Sequence, residues 1–241
     1  MAGFGTELFV LLLAGHLIAD YVVQTRRVAE GKRDLRVLLR HGLEVLLVQT
    51  IVALPLLTPA LLGGIVALTL VHILADAWKA RSADTWPVFL RDQALHLAAI
   101  ALLVLLAGRD SGAHRLFDQL PTARMAWVAL LIGLVGFNIR GGSVLVRFAL
   151  GPRDADPVTQ PRGAMVGYLE RILVFALLTA GEWSAVGLVF AAKSIARFRE
   201  LENKEFSDYY LIGTLASVLV AVAAAGIASW ARAALGVGLP W

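Results

Sequence analysis

The chain has 241 residues, 59% of them hydrophobic and 17% charged, with a mean hydropathy of +0.74; a soluble domain carries about 45–50% apolar residues, so the composition points to a membrane protein. A net charge of +4 would suggest nucleic acid in a soluble protein, but here the basic residues fall between apolar runs and report topology, so no nucleic-acid partner is expected. The absence of cysteine excludes disulfides, thiolate metal sites and a cysteine nucleophile, and leaves His and carboxylate as metal ligands.

The first apolar run, near 7–24, follows MAGFGTELF. That start lacks the basic region and cleavage site of a secretory signal, so the run is expected to remain as a membrane helix. Further runs near 37–57, 60–79, 88–107, 123–150, 165–181, 183–199 and 208–233 bring the expectation to about eight helices that cross or nearly cross a ~30 Å hydrocarbon layer. The fold class expected is therefore all-α, a polytopic transmembrane helical bundle. Leu54-Pro-Leu-Leu-Thr-Pro-Ala60 reads as a tight turn, since each Pro disfavours helix at the residue before it, and Asn138-Ile-Arg-Gly-Gly142 as an interruption of the fifth helix. The polar connection 108–122 separates a His/Asp-rich four-helix metal-binding membrane domain, 1–110, from a second membrane-helix domain, 123–241, and the Pro- and charge-rich stretch Gly151–Gly163 reads as a cytoplasmic loop.

Basic residues set the expected orientation. Arg26, Arg27, Lys32, Arg33 and Arg36 follow the first helix, and Lys79, Arg81 and Arg91 follow the third. Arg140, Arg147, Arg153 and Arg162 follow the fifth, and Lys193, Arg197, Arg199 and Lys204 the seventh. The positive-inside rule makes these connections cytoplasmic and both termini non-cytoplasmic, as in a multi-pass protein of the cell inner membrane. Arg109, Arg115 and Arg124 are the exception, and His114 falls in the external loop with no role assigned.

Chemistry gathers in three His/Asp pairs. HLIAD (His16 to Asp20) and HILAD (His72 to Asp76) share one pattern, and Asp92 to His96 repeats the spacing in reverse. Residues four apart lie one turn apart on one helix face, so each pair points an imidazole and a carboxylate at a common place. With five histidines and ten aspartates, three such pairs arise by chance on the order of half a percent of the time, counting template matches. Ionisable groups set among membrane residues usually mark a site. The expected topology also puts His16, Asp20, His41, His72, Asp76, Asp92 and His96 at one depth near the cytoplasmic face.

These seven residues are the candidate ligands of one or two divalent ions, Zn, Mn or Fe, with spare carboxylates orienting imidazole N–H groups. The competing structural reading makes the pairs intrahelical hydrogen bonds or a proton relay. Lys79, three residues beyond Asp76, and Gln24, one turn past Asp20, are candidate contacts to an anionic substrate, although basic residues at helix ends also meet lipid headgroups. In the second half, Arg171 in GYLERIL and Lys193 and Arg197 in AAKSIARF would form a cationic wall for the substrate, or Glu170 would pair with Lys193 or Arg197 beside Tyr209 and Tyr210. Gly213, Ser217, Ala221, Ala225 and Ser229 form a small-residue face suited to close helix packing.

HLIADYVVQ, Lys32, His41, HILADAWK and FLRDQALH together resemble the signature of a bacterial multi-pass membrane family catalogued only as a domain of unknown function. The resemblance covers about the first 110 residues, and GYLERIL, AAKSIARF and YYLIGTLAS resemble a C-terminal extension of some members. Members often carry a second His one turn after the position of His41, where this chain has Val45 with Glu44 beside it. A weaker likeness, to membrane-bound metal-dependent hydrolases with HxxxD motifs at helix ends, implies hydrolysis.

The function expected is a membrane metal-dependent hydrolase or phosphotransfer enzyme. It would act at a cytoplasm-facing site on an anionic, phosphate-type group of a lipid or small molecule, with Asp20, Asp76, Asp92 and Lys79 catalytic. Two alternatives use the same residues. One is a divalent-cation or proton transporter, although transporters hold their sites near the midplane. The other is a structural or regulatory subunit, forming a homo-oligomer or docking a soluble cytoplasmic partner.

Overall fold

A computed structural model describes residues 3–107, 120–151 and 161–238, with the side chains of 161 and 162 excepted. The loop residues Arg109, His114, Arg115 and Arg153, and the side chain of Arg162, lie outside the described residues. Every regular element among those described is helical. In order these are α1 (Phe4–Ile18), continued by a π-helical turn (Ala19–Val23), α2 (Arg26–Gly31), α3 (Leu35–Val52), α4 (Pro59–Arg81) and α5 (Trp86–Ala107). Then come α6 (Thr122–Ile139), α7 (Gly141–Leu150), α8 (Pro161–Ala180), α9 (Trp183–Ala196) and α10 (Lys204–Leu235).

Among the described residues, six helical stretches are long and apolar enough to cross a membrane: Phe4–Val23, Pro59–Arg81, Trp86–Ala107, Thr122–Leu150, Gly163–Ala180 and Lys204–Leu235. The expected count was about eight, and the two runs that fall short do so for different reasons. The run at 37–57 becomes α3, whose 18 residues carry Arg36, Arg40, His41 and Glu44 and end before the Leu54–Leu56 turn. The run at 183–199 becomes α9, only 14 residues or about 21 Å long.

Local chemistry sets the breaks. Thr58 accepts from the Leu61 N–H at 3.0 Å and Pro59 occupies the first turn, so α4 starts sharply after the expected turn. Asp34 caps α3 by accepting from the Arg36 N–H at 2.7 Å.

The chain divides into two compact units, residues 1–136 with 231–241, and residues 137–230. The division falls inside α6, past the polar connection at 108–122 that the sequence offers as a boundary. In unit 1, α1, α3, α4 and α5 form a ring in which α1 packs on α3 and α5, and α4 packs on the same two. α6 also approaches α1 closely. A Cβ at Gly133 would lie 2.8 Å from the Leu17 Cβ, and one at Gly136 3.0 Å from the Tyr21 carbonyl oxygen. Surrounded in this way, α1 buries nearly its whole length from Leu8 to Leu17.

In unit 2 the fifth apolar run is interrupted at Arg140, between α6 and α7, as the sequence suggests. A helix break inside an apolar layer frees carbonyls that need donors. Arg171 on α8 supplies them: its Nε donates to the Asn138 carbonyl at 2.6 Å, and Nη2 reaches the Ile139 carbonyl at 3.5 Å and the Ser143 hydroxyl at 2.7 Å. Gly142 gives the guanidinium room, since a Cβ there would lie 2.9 Å from Arg171 Nε.

Candidate metal centre

All seven expected ligands lie in the unit 1 ring. His16 and Asp20 lie where α1 passes into the π-turn, His41 in the second turn of α3, Asp92 in the second turn of α5 and Asp76 in the last third of α4, while His72 and His96 lie near the middles of α4 and α5. The packing of the four helices brings these segments together. The π-turn that carries Asp20 closes with the Gln24 N–H donating to the Ala19 carbonyl at 2.9 Å. Such turns widen a helix by one residue, weaken its hydrogen-bond ladder and recur at functional sites.

Three of the ligands lie close together. Asp20 Oδ1 is 3.3 Å from His41 Nε2 and 3.4 Å from His72 Nε2, and the two nitrogens are 3.3 Å apart. These lengths exceed the 2.7–2.9 Å of charge-assisted N–H···O bonds. The near-equilateral triangle they form is a set of donors that could hold a divalent ion. Asp76 Oδ2 lies 3.5 Å and 3.2 Å from the same two nitrogens, and Asp76 also groups with Asp92 and His96.

His16, His96 and Asp92 lie beside this set. The His16 and His96 rings stack at 4.8 Å, and the His72 and His96 rings meet edge to face at 4.3 Å. His96 Nδ1 is 2.7 Å from the Asp92 carbonyl oxygen. A carbonyl only accepts, so Nδ1 carries the ring proton and Nε2 presents a lone pair. Both His16 Nε2 and His96 Nε2 are buried without a hydrogen-bond partner. Together with His72, Val45, Gln49 and Leu68 these two rings line a cavity with room for roughly one water.

Two lysines complete the electrostatics. Lys32, at the end of α2, is buried and donates to Asp76 Oδ2 at 2.7 Å. Lys79 donates to Asp92 Oδ2 at 2.5 Å, its side chain 37% exposed. Gln93 donates to the same oxygen at 2.9 Å and accepts from the Tyr21 hydroxyl at 3.1 Å. Among the described residues, the ionisable groups within 4 Å of the Asp20 carboxylate are imidazoles, with His16 Nδ1 3.8 Å from Oδ2. A buried carboxylate so placed calls for a cation.

The candidate substrate contacts divide. Lys79 stands at the rim of the centre, and Gln24 is half-buried where the π-turn ends. Arg171, Lys193 and Arg197 belong to unit 2 and are engaged there. Arg171 bonds the broken helix and the Ser217 hydroxyl, Lys193 donates to Glu170 at 2.6 Å and to the Thr214 hydroxyl at 3.1 Å, and Arg197 pairs with Glu200. Spacing missed Lys32 as a partner of the centre, because it reaches Asp76 across 44 positions of sequence. It also missed Gln49, which donates to the Leu12 carbonyl at 3.2 Å across the close approach at Gly15.

A family described as "Protein of unknown function (DUF3307)" matches residues 8–120, the span that holds every residue of this centre. No curated protein and no solved structure matches the chain.

Proposed function

We propose that the chain is a membrane metal-dependent hydrolase or phosphotransfer enzyme acting on an anionic, phosphate-type group, carried by a lipid or a small molecule, at a cytoplasm-facing centre. The observation that carries this is the buried triangle of Asp20, His41 and His72 ligand atoms, 3.3–3.4 Å apart, with the Asp76 carboxylate beside the two imidazoles. A divalent ion held there would make a bound water acidic and polarise the oxygen under attack. The oxygen of water would bond to phosphorus as the bond to the leaving oxygen breaks. A centre carboxylate would take one water proton and pass it to the leaving oxygen. Lys79 offers a partly exposed cation for the substrate's charge. Asp20 is the least buried ligand, 11% exposed on its loosened turn, and is the one that can yield a coordination position.

The cytoplasmic placement has two supports. Leu35, Leu39, Leu43, Leu47 and Ile51 are all exposed at four-residue spacing on α3, which packs between α1 and α4. An outward apolar stripe with His41 and Gln49 turned inward is how a membrane helix with modest overall hydropathy looks. If α3 crosses, the ligand-bearing ends share the side flanked by Arg26, Arg27, Lys32 and Arg33 and by Lys79, Arg81 and Arg91.

The test is product release from phosphate mono- and diesters, including phospholipids, by purified protein in detergent with zinc, manganese or iron. Metal-dependent turnover that His41→Ala abolishes is expected. Zinc flux into liposomes without turnover would replace catalysis by transport, and negligible metal in the protein would end both.

A further inference from the structure

We propose that this centre takes one ion rather than two, with Lys79 as the resident cation of the second half and the His16–His96 pair holding a water. The inference rests on the metal-centre reading above and commits it to a ligand count. Asp20, Asp76 and Asp92 bring three negative charges, and Lys32 and Lys79 two positive ones, for a sum of −1 with neutral imidazoles. Glu44 does not alter the sum, because Arg40 pairs with it at 3.1 Å. One divalent ion takes the centre to +1, whereas a second would take it to +3 among apolar helices, where uncompensated charge is costly.

Geometry separates the two halves in the same way. The ion's half has Asp20 Oδ1, His41 Nε2 and His72 Nε2 at 3.3–3.4 Å from one another, and the Asp20 carboxylate meets imidazole nitrogens rather than a lysine. The Asp76 and Asp92 carboxylates already have their cations, because Lys32 Nζ donates to Asp76 Oδ2 and Lys79 Nζ to Asp92 Oδ2, where Gln93 donates as well. What remains there is two buried ring nitrogens facing a cavity the size of one water. Protonated at Nδ1, His96 can accept a hydrogen bond from that water at Nε2, and a neutral His16 can donate or accept as required.

Zinc per chain, measured by elemental analysis after equilibrium dialysis of full-length protein purified through a histidine-free tag, decides the matter. One zinc is expected in the parent chain and in His16→Gln/His96→Gln, none in His41→Gln, and a second, weaker zinc in Lys79→Met. Two zincs in the parent chain, falling to one in His16→Gln/His96→Gln, would overturn the inference while leaving the hydrolase reading intact. A Lys79→Met protein that stays at one zinc would also overturn it. No zinc in the parent chain would overturn the reading itself. Size-exclusion profiles matching the parent's show that each variant is folded.

Discussion

At the residue scale, Lys32 tests whether the buried charges are in place for an ion, because replacing it leaves every proposed ligand intact. Its ammonium is the closest partner of Asp76, itself almost wholly buried. Removing one member of a buried pair strands the other, at a cost of about 3 kcal/mol. Lys32→Met is therefore expected to unfold at lower temperature in metal-free detergent solution. Added zinc should recover most of the loss, because the ion then neutralises Asp76. A melting temperature equally depressed with and without zinc would mean that Lys32 acts by packing alone.

Among the elements, the π-turn after α1 is the part whose position matters most, because it sets where Asp20 points. Its backbone lies against α6, where Gly136 leaves no space for a side chain beside the Tyr21 carbonyl. Gly136→Val should push the turn away and weaken zinc binding by 10- to 100-fold, the size of effect seen when a metal ligand's support is removed; dialysis against zinc measures it. The break between α6 and α7 makes the opposite prediction. Gly142→Val would drive Arg171 from the Asn138 carbonyl and leave buried polar groups unsatisfied, at a cost of about 2–3 kcal/mol. Thermal unfolding should report that loss while zinc per chain stays unchanged, since the ligands all belong to unit 1.

For the molecule as a whole, the question is which connections share a side of the membrane. The chain has no cysteine, so a single introduced one reports its own side cleanly. Cysteines at Glu30 and Ala83 are expected to react with an impermeant maleimide only once the inner face is opened, and one at the exposed Ala60 from outside in intact cells or spheroplasts. Glu30 and Ala60 reacting from the same side would remove α3 as a crossing helix and with it the alternation that aligns the ligands.

Helical class, the apolar spans and the His/Asp spacing were legible in the sequence because each is local. A run of twenty apolar residues has few alternatives to a membrane helix, and positions four apart share a face whatever surrounds them. The interruption near Arg140 was legible for the same reason, through its Gly pair. The length of α3 and α9 as spans was not, because hydropathy averages over a helix whose two faces meet different surroundings. Only the tertiary structure decided that Asp20, His41 and His72 bring their ligand atoms within 3.4 Å of one another while His16 stacks on His96, that Lys32 reaches Asp76, and that Arg171 is engaged by a broken helix. Each is a contact between helices distant in the chain, set by close approaches such as Gly15 on Gln49 and Gly136 on Tyr21 that no periodicity encodes.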